Sequence, residues 1–198
     1  MTSAILVGAG AGALHAVTAP DHLLSLGPVA IRAPAHALRL GTLWGVGHGV
    51  GTLLLGLPLV LLAPLLHLEA ISGVSDRLAG AVLLGTAAWS FYAIRRVPLA
   101  GVATTPPDPR APLFVGFLHG LTGVGALVLM LPLMLSGTLV SAVGFLLAFA
   151  VGSTFAMSAL TWLMGVVGAR LEARVIQVSQ VVLLGAATLL GIWLLFSE

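Results

Sequence analysis

The sequence predicts an all-α integral membrane protein, with six transmembrane helices arranged as two inverted three-helix repeats. Three observations predict this fold: the composition, six long apolar stretches, and an internal repeat. Of 198 residues, 59% are hydrophobic and only 7% are charged, with a mean hydropathy of +1.16. Soluble domains carry about 25% charged residues. Most of this protein's surface is therefore expected to face lipid.

Composition also excludes several classes of site. The chain has no cysteine, which excludes disulfides, thiolate metal sites and cysteine nucleophiles. Eight basic residues face six acidic ones without a basic run, so no nucleic-acid partner is expected. Residues 1–3 lack the basic region of a cleaved signal peptide, and the first apolar stretch is expected to be a retained helix.

Crossing about 30 Å of hydrocarbon takes about 20 apolar residues. Six stretches meet this length, over residues 3–20, 40–64, 74–96, 111–133, 137–166 and 175–197. Between the first two, Leu23 to Ile31 is apolar but interrupted by Gly27-Pro28. This segment is too short to span, so it is expected to be re-entrant or interfacial.

The arginines predict the orientation. Seven of the eight lie in the loops between spans one and two, three and four, and five and six, while Arg77 lies opposite, beside Asp76. The positive-inside rule makes these three loops cytoplasmic and both termini external. The expected location is the inner or plasma membrane of the cell.

The two halves resemble each other. The segment Gly12 to Thr18 matches Gly116 to Thr122, 104 residues later, and Gly47 matches Gly152, 105 residues later. Residues 1–97 form the first repeat, 98–110 a cytoplasmic linker, and 111–198 the second repeat. Each repeat has three spans, an odd number, so the second enters the membrane in the opposite sense. Inverted repeats are typical of secondary transporters, although duplication could also have built only a stable bundle.

Ionisable groups inside lipid are costly and indicate function. The candidates in the first repeat are His15, Asp21, His22 and His48. Imidazole with carboxylate suits a divalent transition metal, and an Asp–His pair equally suits proton transfer. The possible second-repeat path comprises His119, Thr122, Ser153 and Thr154. For His48 or His119 alone, a hydrogen-bonded packing role is the alternative.

The spacing of His15 and His22 requires a broken helix if both are to bind one ion. Seven residues of straight helix separate them by roughly 10 Å, whereas metal–nitrogen bonds are about 2 Å. Because Pro20 interrupts helical hydrogen bonding, a break between Thr18 and Pro20 would fold Asp21 and His22 back towards His15. Otherwise these residues mark successive sites on a path.

Glycines recur at four-residue spacing in the first two spans, at Gly8 and Gly12, at Gly41, Gly45 and Gly49, and at Gly47 and Gly51. Small residues at this spacing let helix backbones approach closely in lipid. The same faces allow a homodimer.

The segment His15-Ala16-Val17-Thr18-Ala19-Pro20-Asp21-His22-Leu23 resembles the nickel–cobalt transporter superfamily, and is most similar to its NicO or urease-accessory UreH-like branch. Trp44 to Gly49 and Leu118 to Gly123 resemble further motifs of that family. The resemblance implies a permease for a divalent metal, nickel or cobalt, with no permanent cofactor. It implies metal-handling roles for His15, Asp21, His22 and His48. Five residues separate His15 from Asp21, where the best-known nickel permeases have four.

Two other functions stay open: a transporter of anions or sulfur compounds, and a non-transporting accessory protein for metalloenzyme assembly. An enzyme is not expected. The sequence has no His-Glu-x-x-His pair, no Gly-x-Ser-x-Gly nucleophile and no phosphate-binding loop.

Overall fold

The structure, a computed structural model, describes residues 2–62, 77, 80–85, 87–88, 91–92, 108–123, 127, 130 and 138–196. All regular secondary structure within these residues is helical. Within these residues lie six α-helices of 13 residues or more: α1 (Thr2–Thr18), α2 (Pro20–Arg32), α3 (Ala37–Leu62), α4 (Arg110–Thr122), α5 (Leu139–Gly168) and α6 (Ala173–Phe196). A short 3-10 helix, Pro34–His36, joins α2 to α3.

Three helical stretches are long and apolar enough to cross a membrane: Pro34–Leu62, Leu139–Gly168 and Arg174–Phe196. The bent pair of α1 and α2 makes a fourth if it counts as one span. The described residues thus hold three or four candidate spans, where the sequence predicts six. About half of the predicted span 74–96, most of residues 124–133 and most of the linker 98–110 lie outside the described residues.

The break between α1 and α2 has a clear local cause. Ala19 is extended, with φ −80° and ψ 107°, and Pro20 opens α2. Proline has no backbone N–H, and its ring clashes with the carbonyl four residues earlier. The two helices meet at 66°. The helix predicted over 3–20 therefore ends at Thr18, and the short apolar segment after it continues as α2.

Helices α1 and α5 pack with their backbones in contact. Gly8 and Gly12 face the backbone carbonyls of Phe145 and Phe149, and a Cβ at either glycine would overlap them. Gly12 follows Gly8 by four residues on α1, and its contact Phe149 follows Phe145 by four residues on α5. The two helices therefore run in the same direction. The expectation that the glycine rows mediate close helix packing holds here.

Helices α3 and α4 pack in the same manner. Gly47 faces the carbonyl of Leu113, and Gly116 faces that of Trp44. Gly51 likewise faces Phe117. These helices also run in the same direction, and neither leaves room for a side chain at the glycine positions.

Helices α3 and α5 cross in opposite directions at the centre of the described structure. Gly45 lies against Thr154, and Gly49 lies against Ala150. The apolar core beside this crossing includes Leu146 and Phe149, both at most 2% exposed. The outer faces remain apolar too. Phe155 is 76% exposed and Phe196 81% exposed, as expected for helices solvated by lipid.

Candidate functional site: a buried histidine cluster

Three histidines from three helices meet inside the helical bundle. His15 lies near the end of α1, His22 at the start of α2, and His48 in the middle of α3. Their ring centroids are 4.9 Å apart for His15–His22, 4.9 Å for His22–His48 and 5.7 Å for His15–His48. One potential ligand nitrogen from each lies within 4.8 Å of the others.

The break at Ala19 makes this meeting possible. A straight helix would separate His15 and His22 by roughly 10 Å. The 66° bend instead brings their rings into edge-to-face contact. Of the two geometries that the sequence left open, the folded-back one is present.

Two of the three rings are deeply buried and incompletely hydrogen bonded. His22 is 2% exposed and His48 is 1% exposed, while His15 is partly exposed. Neither His22 Nδ1 nor His48 Nε2 has a hydrogen-bond partner within the described part of the chain. A buried nitrogen without a partner loses its hydration and gains nothing in return. A bound ion or a small polar ligand would supply the partner that these nitrogens lack.

The other nitrogen of each of these two rings lies near a polar side chain. His22 Nε2 is 3.9 Å from Asp21 Oδ2, and His48 Nδ1 is 3.5 Å from Thr52 Oγ1. The Asp21 carboxylate can only accept, so it favours a proton on His22 Nε2 and leaves the lone pair on His22 Nδ1. The Thr52 hydroxyl can donate to His48 Nδ1 or accept from it, so this contact fits either tautomer of His48. Asp21 is thus placed beside the His22 ring, at the partly exposed edge of the cluster.

Aromatic rings enclose the cluster. Trp44 stacks on His48, with centroids 5.3 Å apart and planes 14° from parallel, and meets His22 edge-on at 5.0 Å. Phe149 lies 5.5 Å from His15. In the sequence, Trp44 stands out only as the first residue of the motif Trp44 to Gly49. The signal that assigns it to the site is its spacing of one helical turn before His48, which itself precedes Thr52 by one turn.

His119 lies beside the cluster without joining its three-nitrogen group. Its ring centroid is 6.1 Å from that of His22 and 5.2 Å from that of Trp44. His119 Nδ1 lies 3.3 Å from the carbonyl oxygen of Val115, while Nε2 has no partner among the described atoms. His119 is therefore a neighbour of the site, contributed by α4.

The three hydroxyl residues predicted for the second-repeat path bond within their own helices. Thr122 donates to the carbonyls of Leu118 and His119. Ser153 and Thr154 both donate to the carbonyl of Ala150. These hydroxyls satisfy backbone oxygens, and their predicted role on a path stays a prediction.

Two curated plant proteins are similar to this chain. Chloroplast protein FOR GROWTH AND FERTILITY 2 of Arabidopsis thaliana is 31% identical over 183 residues, covering 86% of this chain and 49% of that protein. Chloroplast protein FOR GROWTH AND FERTILITY 1 of the same plant is 30% identical over 189 residues, covering 86% of this chain and 52% of that protein. The chain thus spans about half the length of these relatives. No protein-family model and no solved structure matches it.

These comparisons correct the expectations drawn from the resemblance. The relatives are growth and fertility proteins of the chloroplast and are not nickel–cobalt transporters, so the predicted membership of that superfamily is wrong. The prediction of a nickel or cobalt permease falls with it, and neither the anion-transporter nor the accessory-protein alternative gains support. Nothing in the comparisons supports the plasma membrane. The apolar helices indicate that the protein associates with a membrane.

Proposed function

We propose that this chain is a membrane-embedded metal-binding protein in which His15, His22 and His48 hold one divalent transition-metal ion. The convergence of three ligand nitrogens within 4.8 Å, from three helices, is the observation on which the proposal depends. The proposal concerns binding at this site.

The chemistry of the donors favours zinc or a similar borderline ion. Imidazole nitrogen suits such ions, and zinc sites with three histidines leave a fourth position for water or another ligand. Around zinc, Zn–N bonds of about 2.0–2.1 Å place neighbouring nitrogens roughly 3.4 Å apart. The three nitrogens lie within 4.8 Å of one another, so the rings would have to move closer by roughly 1.4 Å to reach this spacing.

The alternative is a packing role in which the histidines only form hydrogen bonds. This role requires partners for buried ring nitrogens. His22 Nδ1 and His48 Nε2 have none among the described residues, although both rings are almost fully buried. An ion at the cluster would satisfy both atoms together, which supports binding over packing.

We also propose that the fold has six spans in two inverted repeats, because the glycine contacts of one half correspond to those of the other half. Gly12 faces Phe149 as Gly116 faces Trp44, and the residues of the two pairs are 104 and 105 positions apart. The contact of Gly152 with Ala9 likewise corresponds to that of Gly47 with Leu113. A pseudo-two-fold axis through the α3–α5 crossing would relate these contacts.

The two helix ends next to the cluster support the same symmetry. The Ala19 N–H donates to the His15 carbonyl at 3.0 Å, and the Gly123 N–H donates to the His119 carbonyl at 2.9 Å. The hydroxyls of Thr18 and Thr122 donate to the carbonyls four residues earlier in their helices. Helices α1 and α4 thus both end one turn after a histidine. Helix ends inside the membrane build the binding sites of many transporters.

Helix directions support an orientation with the arginines on one surface. Helices α3 and α4 run in parallel and begin near Arg39 and Arg110, and α5 runs against them and ends near Arg170. At that same end, Gly168 packs against the backbone of Ile31, next to Arg32. These four described arginines therefore fit one face of the membrane, as the positive-inside rule requires. The absence of enzymatic activity and the possible homodimer stay predictions.

Zinc binding by the purified full-length chain in detergent tests the proposed function. Isothermal titration should give one site per chain, and the combined variant His15→Ala, His22→Ala, His48→Ala should not bind. His36→Ala is the matched control, because His36 lies in the 3-10 helix between α2 and α3. Equal zinc binding by the triple variant and the wild type would reject the proposal.

A further inference from the structure

Helix α2 is held in place by its packing on α5 and α6. It has 13 residues, and a single extended residue connects it to α1. Its second residue after Pro20 is His22, whose placement beside His15 and His48 depends on what α2 packs against. The contacts that hold α2 are therefore also contacts that shape the histidine cluster.

One face of α2 packs on α6 through apolar groups. The Cα of Gly27 lies so close to α6 that a Cβ there would be 3.2 Å from Leu183 Cδ1. Leu24 packs against the buried cluster that includes Leu184 and Ala187. Such contacts are non-directional, and they allow small slides of one helix along another.

A directional contact joins the same two helices. Gln180 on α6 donates from Nε2 to the backbone carbonyl of Pro28 on α2 at 3.3 Å, and Gln180 is only 3% exposed. A buried amide inside an apolar helix pair is costly unless it is hydrogen bonded. The bond joins residues 152 positions apart and fixes the register of α2 against α6.

We propose that Gln180 is a positioning residue for the histidine cluster: its bond to Pro28 holds α2 in register and so keeps His22 beside His15 and His48. This inference rests on the proposed metal-binding function. Gln180 does not belong to the three-nitrogen group, and it acts through the helix that contains His22.

The test compares Gln180→Met with Gln177→Met in the full-length chain. Methionine is close to glutamine in length and has no N–H donor. Gln177 is a half-buried glutamine on the same helix, so its replacement makes the same chemical change and leaves the bond from Gln180 to Pro28 in place. Gln180→Asn is the second variant, because it retains an amide that is one methylene too short to reach Pro28.

Two measurements are made on each variant. The first is the zinc dissociation constant. The second is the distance between spin labels at Leu14→Cys on α1 and Val29→Cys on α2, by double electron–electron resonance without metal. The native chain has no cysteine, so only these two positions react.

Gln180→Met and Gln180→Asn should weaken zinc binding by roughly three- to tenfold, the range expected for one interhelical hydrogen bond in lipid. Both should broaden the label distance, and Gln177→Met should leave affinity and distance unchanged. In a His22→Ala background, Gln180→Met should not change the residual zinc affinity, whereas general destabilisation would lower it further.

Wild-type affinity, or a wild-type distance distribution, in both Gln180 variants would overturn the inference. If the wild-type chain binds no zinc, the proposed function fails, and the label distance alone then decides whether Gln180 holds α2. An unchanged distance in that case overturns the inference, and a broadened one supports its structural part.

Discussion

Gly12 on α1 lies directly against the backbone carbonyl of Phe149 on α5, leaving no room for a side chain at position 12. This contact brings the end of α1 against α5, so that His15, one turn later, lies 5.5 Å from the Phe149 ring. The equivalent contact of Gly116 with Trp44 brings α4 against α3 in the same way. Close backbone packing at glycine therefore determines where the histidines of both halves lie.

Alanine at Gly12 and at Gly10 should have opposite effects on stability. At Gly12 the added Cβ overlaps the Phe149 carbonyl, so we expect a loss of about 1–3 kcal/mol, as in other overpacked sites. At Gly10 no atom lies within 4 Å, and alanine should stabilise the helix by up to about 1 kcal/mol through its higher helix propensity. Thermal unfolding in detergent measures both. Shifts of the same sign would contradict the packing described for α1 and α5.

Replacing His22 by alanine should weaken zinc binding by roughly 100-fold or more, since even the partners of ligand residues contribute 10- to 100-fold. His36→Ala, on the loop side of α2, should bind like the wild type. Competition with a chromogenic chelator measures the difference. Equal affinities for the two variants would remove His22 from the site.

Pro20→Ala should weaken zinc binding without removing a ligand. The substitution restores an N–H at position 20 and removes the ring that prevents a continuous helix. A straightened helix would move His22 roughly 10 Å along the axis from His15. Pro58→Ala, at an exposed position inside α3, is the control and should retain affinity. Unchanged zinc binding in Pro20→Ala would show that the proline is not required for the bend.

Zinc affinity should fall as the pH is lowered from 8 to 5. Only neutral imidazole ligates a metal, so protons compete with the ion for the same lone pairs. Lower pH therefore opposes binding, and higher pH favours it until the ligands are fully deprotonated. Titrations at pH 8, 7, 6 and 5 measure the slope. A constant affinity across this range would show that histidine does not bind the ion.

Single cysteines should report the proposed orientation. A membrane-impermeant maleimide added to one side of sealed vesicles should react with Arg39→Cys, Arg110→Cys and Arg170→Cys. It should react with Thr138→Cys from the other side, because Thr138 lies at the start of α5 and Arg170 follows its end. The native chain contributes no background labelling, as it has no cysteine. Labelling of Arg39→Cys and Arg170→Cys from opposite sides would contradict the orientation.

Much of the local structure could be predicted from single residues. Pro20 predicted the break because its missing N–H and its ring act within one helical turn. The glycine rows predicted close packing for a similar reason, since the absence of a side chain is a local property. The internal repeat indicated which segments correspond, and the glycine contacts of the two halves follow that correspondence.

Other features depend on the tertiary structure or on information that the sequence pattern lacks. The bond between Gln180 and Pro28 joins residues far apart in the chain, and no local pattern marks it. The stacking of Trp44 on His48 likewise becomes visible only in the fold. The motif around His15 and Asp21 specifies imidazoles at a broken helix end, but that chemistry does not define a family, and the inferred superfamily was wrong.

X-ray absorption spectroscopy of the zinc-loaded, full-length protein tests the histidine site most directly. We expect one zinc ion per chain, bound by three imidazole nitrogens at about 2.0–2.1 Å, with loss of this imidazole signature in His22→Ala. Zinc surrounded by oxygen alone, or the same three-imidazole spectrum in His22→Ala, would contradict binding by His15, His22 and His48.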